Sequence, residues 1–85
     1  MTQQEFESKM HRARTMRDLG ERPGYYTGYL RGLRRLFHGE KFGTGAEHQK
    51  WLRLLDDPDE ARHERGRGYL DGFTGKDPMQ PSREA

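Results

Sequence analysis

The chain contains no cysteine. Disulfides, thiolate metal sites and a cysteine nucleophile are therefore excluded. It also lacks any apolar run as long as a membrane span or the core of a secretory signal, so a soluble, cytoplasmic protein is expected. Hydrophobic residues make up only 29% of the 85 residues, and 35% are charged. That balance leans toward disorder, but nine aromatics (four Tyr, four Phe, one Trp) argue for a compact core. A single small domain with a thin core follows, with apolar surface that a partner could cover.

Catalytic patterns are missing as well. His38 to Gly45 holds Gly39, Gly43 and Gly45 and reads as a loop, but no Lys-Ser/Thr pair follows at the distance a phosphate-binding loop needs. No Ser-His-Asp arrangement can be placed. The histidines are His11, His38, His48 and His63. His38 and Glu40, with Glu47 and His48 beyond, could imitate a metal site but have no metal-ligand spacing. His48 beside Leu52 and Leu55 reads as a core histidine. Asp56, Asp57 and Asp59 lack the alternation of a calcium loop and suit a helix start. Four short helices leave little room for a catalytic pocket, so neither enzyme activity nor a cofactor is expected.

What the chain does have is a short motif used twice. Gly28-Tyr29-Leu30-Arg31-Gly32-Leu33 returns as Gly68-Tyr69-Leu70-Asp71-Gly72-Phe73, 40 residues later. A glycine inside a helix costs roughly 1 kcal/mol against alanine, so paired glycines call for close backbone approach. Charged residues within both segments rule out the membrane use of this spacing. Contact between the two segments inside one molecule is the simpler reading. A glycine strip facing a partner or a second copy is the other. Outside these six residues the two halves align poorly, which argues against a tandem repeat.

An all-α bundle of about four short helices is expected. Thr2 and Glu5 have capping-box spacing and open a first helix to about Leu19, stopped by Gly20, with Phe6, Met10 and Ala13 as its narrow apolar stripe. A second, central helix runs from about Pro23 to Phe37. Its arc holds Tyr25, Tyr26, Tyr29, Leu30, Leu33, Leu36 and Phe37, with Gly24, Gly28 and Gly32 alongside and Arg31, Arg34 and Arg35 opposite. Thr44 and Glu47 repeat the capping-box spacing before a third helix to about Leu55. Asp57 as N-cap and Pro58 as first residue open a fourth helix to about Phe73. Residues 1–75 form the domain and 76–85 a flexible tail. Helices two and four should pack through their glycines, with Gly32→Leu and Gly72→Leu each costing on the order of 1–3 kcal/mol.

Charge is +2 overall and unevenly spread. Between Ser8 and His38 eight Lys/Arg face only Asp18 and Glu21, whereas from Lys41 onward eight basic and nine acidic residues mix. The first half reads either as solvated helix faces or as a basic patch for phosphate or an acidic protein surface. Tyrosines among arginines suggest base stacking, but the two residue types lie on different sides of the helix, which places most of the rings in the core. Candidate partner-binding residues are Arg12, Arg17, Arg31, Arg34, Arg35 and Phe42.

The stretch GYYTGYLRGLRRLFHGEKFGTGAEHQKW, Gly24 to Trp51, resembles the short, charged, glycine- and aromatic-rich proteins of phages and mobile elements, among them anti-CRISPR proteins. The resemblance covers about a third of the chain and lies in size and style, with no shared motif to map residue by residue. It implies a stoichiometric inhibitor that occupies a surface of a protein or ribonucleoprotein complex, as a monomer or small homo-oligomer. The alternative is a small nucleic-acid-binding accessory protein using the basic helix face.

Overall fold

Thr2 starts the fold as the capping box requires. Its hydroxyl accepts from the Glu5 amide at 3.1 Å, and the Glu5 carboxylate accepts from the Thr2 amide at 2.8 Å. The computed structural model describes residues 1–20 and 22–79. It comprises α1 (Gln3–Asp18), α2 (Pro23–His38), α3 (Gly45–Arg53) and α4 (Glu60–Phe73), with 3₁₀ turns at Gly39–Phe42 and Leu54–Asp56. No strand occurs among the described residues. The fold is the expected all-α bundle, flattened to a slab of 38 × 35 × 17 Å.

α2 and α4 form its centre and its most extensive contact. Gly28 lies against the Arg65 carbonyl and Gly32 against that of Tyr69, while Gly68 lies against the Tyr25 carbonyl and Gly72 against that of Tyr29. Both strips climb in the same direction, so the two helices run parallel. Each contact has a counterpart displaced by 40 residues in both partners, which gives the pair a local two-fold relation. The repeated motif is therefore two halves of one interface. A Cβ on Gly68 would sit 2.8 Å from the Tyr29 amide nitrogen, and one on Gly72 2.7 Å from that of Leu33. Only hydrogens fit there. Gly24 is outside this lock, because a Cβ at that position would have its nearest neighbour at 3.4 Å.

Parallel helices need a long crossover, and residues 39–59 supply it. α1 covers α2 on one side. Phe6 stacks on Phe37 with ring centroids 4.3 Å apart, and Met10 and Ala13 are buried behind it. α3 and the turn after it lie against α4. Trp51 stacks on Tyr69 at 5.3 Å, and Gly66 leaves room for Leu54. His48 is half-buried, with Nδ1 2.7 Å from the Tyr69 hydroxyl and its ring against Phe73.

Several boundaries differ from the sequence reading. α4 starts at Glu60, capped by Asp59, whose carboxylate accepts from the Arg62 amide. Asp57 instead accepts from the Asp59 amide, which places Pro58 in the turn before the helix. Thr44 caps α3 by accepting from the Glu47 amide at 3.2 Å. The Glu47 carboxylate does not return to complete the box, because it is bonded to Arg31. Leu36, placed in the apolar arc, is 39% exposed.

The start of the expected tail is tied to the core by tyrosine hydroxyls. Tyr29 donates to the Lys76 carbonyl at 2.6 Å, and Tyr26 donates to that of Met79. Tyr25 donates to Asp71 Oδ2 at 2.6 Å and accepts from the Met79 amide at 3.2 Å. Pro78 is buried beside them. These bonds satisfy three phenols whose rings are fully enclosed, the condition under which a buried Tyr is tolerated. Residues 80–85 lie outside the described residues.

Candidate functional site

Arginines three apart lie one turn apart on the same helix face. Arg14 and Arg17 in α1 and Arg31 and Arg34 in α2 share this spacing, and the packing of α1 on α2 brings the two pairs together. Arg34 feels the result. Partial burial, and then the positive charges of Arg14, Arg17 and Arg31, hold its guanidinium below the usual arginine value. An arginine stays protonated through such a shift, so the cluster remains a concentration of like charge.

Counter-ions are sparse. Arg31 pairs with Glu47 at 2.8 Å, with both side chains more than a third exposed, and Arg17 approaches Asp18 at 3.6 Å. Exposed pairs of this kind are worth under about 1 kcal/mol. Among the described residues, neither Arg14 nor Arg34 has an ion-pair partner. The acidic residues of α4 do not reach the cluster. Glu64 accepts from both Nε and Nη2 of Arg22, and Asp71 accepts from Tyr25.

Phe42 forms the aromatic edge. It is 37% exposed, and the Arg34 guanidinium lies 5.6 Å from its ring centroid, a cation–π placement. His38 stacks on the same ring at 5.5 Å and links it to Phe37 and Phe6. Beside it, Arg31, Lys41, Phe42, Gly43 and Glu47 line an open hollow of about 260 Å³.

The structure thus brings Arg17, Arg31, Arg34 and Phe42 of the six sequence candidates to one surface. Arg35 and Arg12 are elsewhere. The Arg35 stem lies near Gly43, its guanidinium is 6.0 Å from the Phe73 ring, and its Nε is buried without a hydrogen-bond partner. It packs beneath the crossover instead of joining the open face. Arg12 borders a separate hollow with Lys9 and Asp77. Arg14 was not among the candidates, although its spacing to Arg17 matches that of Arg31 to Arg34.

No protein-family model matches the chain, and no curated protein or solved structure shows significant similarity to it. Among the described residues, no helix is long and apolar enough to cross a membrane, and no group of three or more His, Asp or Glu could hold a metal ion.

Proposed function

We propose that this chain is a small non-enzymatic binding protein that docks its arginine cluster and Phe42 onto an anionic surface of a protein or ribonucleoprotein. It acts there as a stoichiometric inhibitor. The observation that carries this reading is the pair Arg14 and Arg34, two cations in a like-charged cluster with no counter-ion among the described residues. A fold gains nothing by gathering charge of one sign, whereas a docking surface gains attraction, orientation and association rate. The inhibitory role follows the resemblance to small phage proteins of the anti-CRISPR type. Nucleic acid alone is the less favoured ligand. Tyr25, Tyr26 and Tyr29 are fully buried, which leaves Phe42 as the exposed ring beside the cluster and no platform for successive bases.

Arg14→Glu with Arg34→Glu tests this. The tagged chain should capture a defined partner from extracts of the organism that encodes it, at fixed stoichiometry. The double variant should lose roughly tenfold to a hundredfold in affinity, about 1.4–2.8 kcal/mol, with its helical circular dichroism unchanged. Undiminished capture by the folded variant would move the site elsewhere. Equally tight, steeply salt-dependent binding to bare DNA or RNA would favour the accessory-protein alternative.

A further inference from the structure

On the far side of the Arg31–Glu47 pair from Phe42 lies a second concavity. Pro23, Gly24, Thr27, Trp51, Ala61 and Arg65 line a hollow of about 530 Å³. A neighbouring hollow of about 420 Å³ shares Trp51 and Arg65 with it and adds Lys50, Leu54 and the Arg31–Glu47 pair. Together they form a groove bounded by the start of α2, by α3 and by α4.

We propose that this groove binds a short acidic segment of a partner protein, with an apolar side chain seated against Trp51 and Leu54 and carboxylates reaching Lys50 and Arg65. The floor is made by Gly24, Thr27 and Ala61, whose small side chains leave the space open. The wall is apolar, since Trp51 and Leu54 are both half-buried and line the concavity. The rim is positive. Glu47 is engaged by Arg31, while Lys50 and Arg65 are exposed and have no ion-pair partner among the described residues. Apolar wall and cationic rim together match an acidic peptide carrying a Leu or Phe. They suit a nucleic acid less well, because stacking on Tyr69 already covers part of the indole that a base would need.

Trp51 is the only tryptophan in the chain, so its fluorescence reports on this groove. The probe is an acetylated, amidated peptide of sequence Glu-Asp-Leu-Glu-Phe-Asp, and the control replaces its acidic residues with lysine. The acidic peptide should change Trp51 emission saturably and the lysine peptide should not. Lys50→Glu with Arg65→Glu should weaken binding at least tenfold, about 1.4 kcal/mol. Thr27→Phe, which fills the floor without altering charge, should abolish it. Arg14→Glu with Arg34→Glu should leave it unchanged, so failure here and failure of the arginine cluster are distinguishable. No saturable response to the acidic peptide, equal responses to both peptides, indifference to the Lys50 and Arg65 reversals, or tighter binding of a single-stranded oligonucleotide would each overturn the proposal.

Discussion

Gly68→Ala should lower the thermal melting temperature by roughly 10–25 °C. The added methyl would fall on the Tyr25 carbonyl oxygen and within 2.8 Å of two further backbone atoms. Backbone cannot turn aside as a flexible side chain can, so α2 and α4 would have to separate along their whole shared face. Overpacking in a close-packed core costs about 1–3 kcal/mol, occasionally more, and the upper end applies where the obstacle is main chain. A domain of this length has roughly 4–13 kcal/mol in total. Gly28→Ala, Gly32→Ala and Gly72→Ala should behave similarly, because each Cβ also meets an opposing carbonyl. The effect anticipated from sequence for leucine at Gly32 and Gly72 thus already applies to the smallest side chain. Gly24→Ala is the internal control. Its Cβ has ordinary space, so the better helix propensity should make it neutral or stabilising by up to about 1 kcal/mol. Thermal melts followed by circular dichroism separate the two outcomes.

Alkaline unfolding is the second large effect expected. Burial, followed by the hydrogen bond to Asp71, pushes the Tyr25 phenol well above its ordinary value of 10.0. Burial, followed by the negative charge of Asp77, does the same to Tyr29, and burial raises Tyr69. A phenol with a raised folded-state pKa contributes stability that is fully present below the unfolded pKa. That stability falls as pH rises, because the unfolded chain releases the proton first. Each such phenol therefore lowers stability by up to about 1.4 kcal/mol per pH unit above pH 10. With three of them the chain should unfold cooperatively in that range, and tyrosinate absorbance and loss of helical signal should rise together. Tyrosinate appearing at the ordinary pKa while the helices persist would show that the hydroxyls are not locked into the fold.

Much of the architecture was legible because helices announce themselves through periodicity and caps. The apolar arc of α2, the Thr2–Glu5 box and the glycine strips all carry local signals, and the strips led directly to the α2–α4 contact. The parallel direction of the pair was not legible. The 40-residue offset looks like a weak repeat until each glycine is matched to the carbonyl it meets. The tyrosine anchors were also hidden, since a hydroxyl bonded to a carbonyl about 50 residues away leaves no pattern in the chain. At the candidate site, a helical wheel groups Arg31, Arg34 and Arg35. It cannot show that Arg35 turns toward Phe73 and the crossover near Gly43 while Arg34 turns toward Phe42. In α1 spacing alone does not separate the cations, since Lys9 and Arg12 lie three apart just as Arg14 and Arg17 do; the packing of α1 on α2 is what sets Arg14 and Arg17 against Arg34.

A docking surface that gathers unpaired charge should burden its own fold, and Arg34→Met measures that burden directly. Methionine keeps an aliphatic stem and a favourable sulfur contact with Phe42 while removing the charge that Arg14, Arg17 and Arg31 oppose. If the cluster is maintained for binding, Arg34→Met should melt at a higher temperature than the parent chain at low ionic strength. The gain should shrink as salt screens the repulsion, and partner capture should fall. A lower melting temperature at both low and high salt would show that Arg34 supports the fold, and would contradict a cluster kept for docking.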